Sequence, residues 1–363
     1  MDSKADILEN QEWKVFKFCG EGGVFDLRST SSGLDFDKSD ISKKEVPYIT
    51  RTANNNGWKT EISLSQNAAV KLDPGDTITI GLDTQTVFYQ PREYYTGQNI
   101  QVISHPRLNR VTAMFVIPVI RNQVEKFTWG ANGATLGRLE RSNIMLPANE
   151  NGEPDWDFME WYIGNIQGEK IKEIIQFYEF KLKEMDAPEK LVQIENWGEF
   201  SLGDIFKFIR RTSVPMNQQT VVSTGGTNYV AATNRNNGVS NYVKSNPNIE
   251  YPGNTVVFVR NGEGSMGYSV YKKESFIATS DVTVGTSKHL NEYNGKFITT
   301  IADRVRSKYN YYYKRSAKRL KAEILTLPVD LEGNVDWLVM ENYVKFLESQ
   351  KIIEILKHLR SLI

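Results

Sequence analysis

A motif near the middle of this chain returns near its end without a gap. Leu146-Pro147, Gly152, Asp155-Trp156, Met159-Glu160 and Tyr162 reappear as Leu327-Pro328, Gly333, Asp336-Trp337, Met340-Glu341 and Tyr343, at a constant offset of 181 residues. Earlier landmarks recur as well: Trp13 answers Trp197, residues 48–57 answer 229–238, and Pro74-Gly75 answers Pro252-Gly253. Solenoid repeats recur every 20–50 residues or so, and a period several times longer makes each copy a whole domain. A chain of 363 residues holds two such domains, each large enough to bury its own core. The molecule's task therefore needs two of something.

Lys+Arg and Asp+Glu both number 44, so the overall charge neither demands nor excludes a polyanionic partner, and local clustering has to decide. The single cysteine, Cys19, excludes an internal disulfide. The opening residues lack the basic and apolar pattern of a signal peptide, and no apolar run approaches the roughly 20 residues of a membrane span. These features read as a soluble, cytoplasmic protein with no membrane partner.

Each copy opens with a tryptophan and a short apolar stretch, at 13–16 and 197–202. Residues 77–80 and 255–259 follow Pro-Gly and are β-branched, which predicts strands entered from a turn. Residues 87–89, 100–103, 111–117 and 282–284 are expected to continue the strand pattern. After Pro154 the period changes. Met159, Tyr162, Ile163 and Ile166, then Ile171, Ile174, Ile175, Tyr178 and Leu182, form a helical stripe. Met340, Tyr343, Val344 and Leu347, then Ile352, Ile355, Leu356, Leu359 and Ile363, repeat it. About 28 residues make a rod of roughly 40 Å, and such a stripe needs a partner, for which the other copy's helix is the nearest candidate. Gly164 and Gly168 weaken the first rod locally and Pro188 closes it. The expected fold class is α/β of the α+β kind: a β-rich body over 1–154, a long helix and linker over 155–187, a second body over 188–335 and a second helix over 336–363. The two helices pair antiparallel in a pseudo-two-fold arrangement.

Two constellations point to a nucleic acid. One is a pair of loops, Arg51, Thr52, Asn54, Asn55 and Asn56 before Gly57, and Thr233, Asn234, Arg235, Asn236 and Asn237 before Gly238. Asn-Gly is a hairpin signal in its own right. Asn and Arg are also the side chains that make paired hydrogen bonds to adenine and guanine edges, and the copies differ there, with Arg51 opposite Ala232 and Asn54 opposite Arg235. The other is the acid-free run 304–321, in which Lys314, Arg315 and Lys318 stand among eight cations interleaved with Tyr309, Tyr311, Tyr312 and Tyr313. A charge run is commonly a solvated face, yet cations and hydroxyls so mixed suit a phosphate backbone. The first copy's counterpart, with Lys126, Phe127, Trp129, Arg138 and Arg141, is less charged.

Enzyme readings fail on context. Residues 262–267 match the dinucleotide fingerprint, but Tyr268-Ser269-Val270-Tyr271 follows where a helix should start, which predicts a hairpin. Asp155, Glu179 and Lys181 lie on an expected helix, whereas metal-dependent nucleases need carboxylates converging on a metal. His105, His289 and His358 lack zinc-ligand spacing and a nucleophile. No catalytic residue, metal ligand or cofactor site is expected in this chain. A duplicated protein-binding module, such as a restriction inhibitor, and a self-contained DNA-modifying enzyme remain the alternatives.

The duplicated order, each copy beginning with a Trp and a segment like Leu202-Gly203-Asp204-Ile205 (weaker at Phe25-Asp26-Leu27) and ending in Leu-Pro-x4-Gly-x2-Asp-Trp-x2-Met-Glu-x-Tyr before a long helix, resembles the DNA specificity (S) subunits of type I and type IIB restriction-modification systems. The resemblance covers both copies. It implies two target-recognition domains, each reading one half of a bipartite site in double-stranded DNA, with the helices as a ruler between them. It also implies that the helices dock methyltransferase subunits, with a restriction subunit as a further candidate partner, and that S-adenosylmethionine is bound by the partner. Candidate docking positions are then Tyr162, Ile166, Ile174 and Tyr178 on the first helix and Tyr343, Leu347, Leu356 and Leu359 on the second.

Overall fold

The structure is a computed structural model and describes residues 4–67, 70–127, 133–262, 264–310 and 312–363. It divides into two compact units, Met1–Lys172 and Glu173–Ile363, so the division falls inside a helix and not at the linker around Pro188. The first unit runs through α1 (Lys4–Asn10), β1 (Trp13–Lys17), β2 (Asp26–Ser29), β3 (Val46–Ile49), β4 (Trp58–Ile62), β5 (Thr77–Gly81), β6 (Val87–Gln90), β7 (Tyr95–Thr96) and β8 (Ile100–Ser104). Then come α2 (Arg110–Val124), α3 (Leu136–Glu140), β9 (Asn143–Pro147) and the start of α4 (Trp156–Met185). The second unit follows with β10 (Trp197–Ser201), α5 (Leu202–Ile205), β11 (Lys207–Ile209), β12 (Thr227–Val230), β13 (Val239–Val243), β14 (Thr255–Val259), β15 (Ser269–Lys272), β16 (Phe276–Ala278) and β17 (Val282–Thr286). It ends with α6 (Glu292–Ala302), α7 (Ala317–Lys321), β18 (Ile324–Pro328) and α8 (Trp337–Arg360).

Sheet order repeats strand for strand. The first unit has β2-β8-β5-β6, β4-β3-β7 and β1-β9; the second has β11-β17-β14-β15, β13-β12-β16 and β10-β18. The repeated motif earns its length here. In each unit the opening strand pairs antiparallel with the last, Trp13 against Pro147 and Trp197 against Pro328, which closes the body and brings the chain to the start of the long helix. Between strand and helix lies a tight loop. Asn149 Oδ1 accepts from the Asn151 and Glu153 amides, and Asp330 Oδ1 accepts from those of Glu332 and Asn334. Gly152 and Gly333 sit at φ +79° and +82°, a region closed to most side chains. Asp155 and Asp336 then accept from the Phe158 and Val339 amides, capping α4 and α8. Met159 and Met340 are buried in the two cores.

Residues 111–117, expected as a strand, are helical and belong to α2. Asn109 and Thr112 form a reciprocal capping box at its start, and Thr112, Ala113, Phe115, Val116, Ile120 and Val124 are buried at helical spacing. Burial and the cap overrode the strand preference of the β-branched run. The same box, Asn291 with Asn294, starts α6. Each N-cap asparagine also donates to the motif glutamate, Asn109 to Glu160 and Asn291 to Glu341.

Within the second unit the later half of α4 lies along α8. Glu179 pairs with Arg360, and Lys181 Nζ is 3.5 Å from Glu348 Oε2, an order that reverses along α8 as antiparallel helices require. Glu348 also receives Lys296 of α6 at 2.6 Å. Ile175 and Met185 on α4, and Ser349, Ile352 and Leu356 on α8, are buried. No helix among the described residues is long and apolar enough to cross a membrane.

Replacing Asp155 or Asp336 by alanine should each cost about 1 kcal/mol through loss of the helix cap, and Gly333→Ala should cost at least as much through its positive φ. Chemical denaturation followed by circular dichroism checks both.

Candidate nucleic-acid interface

The Asn-rich loops are built by backbone conformation first. Asn55, Asn56 and Gly57 have φ of +49°, +56° and +78°, and Asn236, Asn237 and Gly238 have +49°, +54° and +78°. Asparagine tolerates this left-handed region better than other side chains, so these positions have a conformational reason to be Asn. In the first unit Asn55 Nδ2 donates to Trp58 O at 3.3 Å and Asn56 Nδ2 to Tyr89 O at 2.9 Å. The residues just before the strained turn are differently placed: Thr52 Oγ1 and Thr233 Oγ1 accept from the Asn54 and Arg235 amides, and the Asn54 and Arg235 side chains are exposed. Arg51 is turned inward onto Asp83 in the β5–β6 hairpin and steadies the loop.

In the second unit the two sequence-derived constellations meet. Residues 260–267 form the turn between β14 and β15, as expected from the strand residues that follow, with Glu263 outside the described residues. Its Gly264 carbonyl accepts both Asn234 Nδ2 at 3.5 Å and Arg306 at 3.3 Å, and Ser265 Oγ donates to Ala232 O at 2.8 Å. A cavity of about 960 Å³ opens beside this turn, lined by Asn261, Met266, Arg306, Tyr309, Asn310 and Lys314 among others. Tyr309 stacks on Tyr313, Arg319 lies 3.8 Å over the Tyr313 ring, and Tyr312 is 93% exposed. Lys314 and Lys318 are exposed. Tyr311, and Trp129 of the first copy, lie outside the described residues.

Arg315 corrects the sequence reading. It is fully buried, paired with Glu323, and donates to Gly267 O at 3.0 Å and Ser269 Oγ at 3.2 Å. Tyr309 Oη donates to the same Glu323 at 2.6 Å. A guanidinium with these partners cannot reach a phosphate; it pins the basic run to the β14–β15 turn. On the helices, Ile174 and Leu347 are exposed, whereas Tyr162 and Tyr343 pack edge-on against Phe115 and Phe297. Ile166, Tyr178 and Leu359 are half-buried, and Leu356 is buried, so it has no surface for a docking partner. Exposed apolar residues of α4 and α8 that the sequence reading did not single out include Trp161, Phe177, Phe180, Leu338 and Ile353.

Sequence reasoning also missed what lies beneath the loops. Gln90, at the end of β6, donates to Asn56 O at 3.3 Å, and Lys272, at the end of β15, donates to Asn237 O at 3.2 Å. Both side chains are buried. The same strained carbonyl is thus held by a neutral amide in one unit and a buried ammonium in the other, and burial pushes the Lys272 pKa down against the weaker pull of Glu274. The repeat itself carried the signal, because the two residues stand at equivalent ends of equivalent strands.

These two domains of one topology, each raising a strained loop beside a β-hairpin and followed by a long helix, define a duplicated DNA-specificity fold. The type I restriction modification DNA specificity domain family matches residues 10–176 and again 194–357, and the chain belongs to that family as a specificity subunit of a restriction-modification system. It is 28% identical over 329 residues, 88% of this chain and 91% of the relative, to the specificity subunit S.BcgI of the type II restriction enzyme BgcI from Heyndrickxia coagulans. The crystal structure of a type I restriction-modification system S subunit from M. genitalium shares the fold, with a TM-score of 0.57 at 15% identity over 100% of this chain and 96% of that one.

Lys272→Gln installs the first unit's arrangement and should leave the loop in place with equal or higher stability at neutral pH. Lys272→Ala leaves the Asn237 carbonyl without its donor and should cost about 1–3 kcal/mol. Because the folded-state pKa lies below the ordinary 10.5, unfolding takes up a proton in the interval below 10.5, and wild-type stability should rise with pH across it. Melting temperatures against pH check the sign, and Lys272→Gln should flatten this slope.

Proposed function

We propose that this specificity subunit reads a bipartite site in double-stranded DNA, one half-site per domain, and has no catalytic turnover by itself. In this reading α4 and α8 present their exposed apolar residues, Ile174, Phe177, Phe180, Leu347 and Ile353, to methyltransferase subunits that bring S-adenosylmethionine. The convergence of Asn234 and Arg306 on the Gly264 carbonyl, beside the basic run 304–321, is the observation that carries it. It gathers a base-reading loop and a phosphate-binding run around the β14–β15 turn, the division of labour that sequence-specific binding needs. Each side chain then has a distinct role. Thr52, Asn54, Thr233, Asn234 and Arg235 stand where a base edge can be met, and Lys314 and Lys318 where a phosphate can. The helix α4 runs unbroken for 30 residues, about 45 Å at 1.5 Å each, which suits a spacer of about one duplex turn.

Binding of the full chain to a panel of single-base variants at two salt concentrations tests the assignment. Arg235→Ala should lose about 1–3 kcal/mol of discrimination at one base pair, while Lys318→Ala should weaken all sequences alike and lower the salt slope by about one. Exchanged effects would reverse the roles, and no salt-dependent binding to any duplex would sink the reading. Methyl transfer or magnesium-dependent cleavage by the purified chain would refute the absence of turnover.

Inserting four residues near Gly168, about 6 Å of helix, should lengthen the preferred spacer while both half-sites stay the same. Methylation-site sequencing of cells carrying the insertion reads the spacer directly, and an unaltered spacer removes α4 from the mechanism.

A further inference from the structure

A second cavity of the second unit, about 560 Å³, is lined by Arg210, Arg211, Arg260 and Lys321 together with the hydroxyl-bearing Ser213, Thr279, Ser280 and Thr283, and no carboxylate lines it. Arg210, Arg211 and Lys321 are exposed, while Arg260 is half-buried. The Arg260 guanidinium donates to Ser280 O at 2.5 Å, but its Nε is buried and has no acceptor. Asp281, the next residue in the chain, is engaged elsewhere, with Oδ1 taking Asn261 Nδ2 at 3.0 Å. Four like charges around one cavity repel one another, and a buried N–H without an acceptor gains nothing for its lost water. Such a group of side chains is suited to an anion.

The first unit supplies the comparison, since the fold repeats position by position. Arg210 and Arg211 follow β11 where Ser29 and Thr30 close β2; Arg260 follows β14 where Leu82 follows β5; Lys321 ends α7 where Glu140 ends α3. Tyr251 bridges Phe276 where Asp73 bridges Tyr94. In the first unit Asp73 is itself the anion. It is fully buried, paired with Arg28, and accepts from Thr30 Oγ1 at 2.6 Å and the Ser31 amide at 3.0 Å. In the second unit that internal carboxylate is replaced by Tyr251, whose hydroxyl accepts the Arg211 amide at 3.1 Å, and the surrounding positions have become basic. One copy satisfies its donors from within; the other gathers cations and offers them outward.

We propose that Arg210, Arg211, Arg260 and Lys321 form a phosphate site that takes a backbone phosphodiester group of duplex DNA flanking the half-site read by the second domain, an inference that rests on the DNA-reading function above. Guanidinium forks match phosphate oxygens in pairs. The position favours the DNA backbone over a free phosphate ester: Arg260 leads directly into the turn whose Gly264 joins Asn234 and Arg306, and Lys321 ends the helix that carries Lys318.

The full chain is titrated with duplex DNA carrying its site across a salt series, and separately with inorganic pyrophosphate. Arg211→Ala and Lys321→Glu, the latter restoring the first unit's residue, should each lower the slope of log affinity against log salt by about one or more, with base preference unchanged. Ser29→Ala, at the first unit's equivalent of Arg210, should leave the slope as it is. Arg260→Leu copies the other unit, and the exposed Arg210, Arg211 and Lys321 variants carry the test if it fails to fold. Folded variants with the wild-type slope overturn the site. Loss of pyrophosphate binding with the duplex slope unaltered assigns the cavity to a free phosphate ester and overturns the DNA assignment. No salt-dependent duplex binding by the wild type overturns the functional reading itself, an outcome distinct from either.

Discussion

Each half of this molecule depends on the pairing of its first strand with its last. Without the antiparallel registers Trp13 to Pro147 and Trp197 to Pro328, a body of short strands has no closure, and the long helix has no fixed point of departure. The motif that recurs after 181 residues is a set of solutions to that one problem. Proline ends the strand, an Asx-type turn with a positive-φ glycine reverses the chain, aspartate caps the helix, and methionine drops into the core. Four kinds of local chemistry are enforced within some fourteen residues, which is why the motif tolerates no gap.

With the frame held, the two domains diverge in the polar groups that surround their loops and cavities. The strained Asn-Asn-Gly turn is kept in both, but the donor beneath it is Gln90 in one and Lys272 in the other. Arg51 is spent on Asp83 in the first domain, while its counterpart Ala232 in the second only accepts a hydroxyl proton at its carbonyl. Asp73 is internal and satisfied, where Tyr251 leaves a basic cavity. Duplication thus gives two scaffolds with equal backbone geometry and unequal electrostatics. Arg315 shows the cost of using charge for architecture. Its burial is supported by Glu323, the Gly267 carbonyl, the Ser269 hydroxyl and Tyr309 around the same carboxylate, and a buried cation lacking such partners would be strongly destabilising.

Much of this was legible in the chain. The duplication, the two domains, the β-rich bodies, the long helices and the hairpin over 260–267 follow from spacings and turn chemistry that a few neighbouring residues determine. The loops rich in Asn and Arg and the acid-free run leave a compositional trace too, and the structure brings Asn234 and Arg306 of the second unit together on the Gly264 carbonyl. The helix α2 was not legible: its residues 111–117 satisfy a strand pattern as well as a helical one, and only the Asn109 cap together with burial of Phe115, Val116 and Ile120 separates the two.

What tertiary structure alone decided is the fate of individual charges. Arg315 and Lys318 are three residues apart in one basic run, yet one is sealed against Gly267 and Ser269, nearly fifty residues earlier in the chain, and the other faces outward. Arg210, Arg260 and Lys321 are far apart in sequence and line one cavity because β11, β14 and α7 end together. Periodicity and capping are local and can be read along the chain. Whether a charge is buried, paired or offered to a ligand depends on which distant segment packs against it, and that is set only when the sheets close.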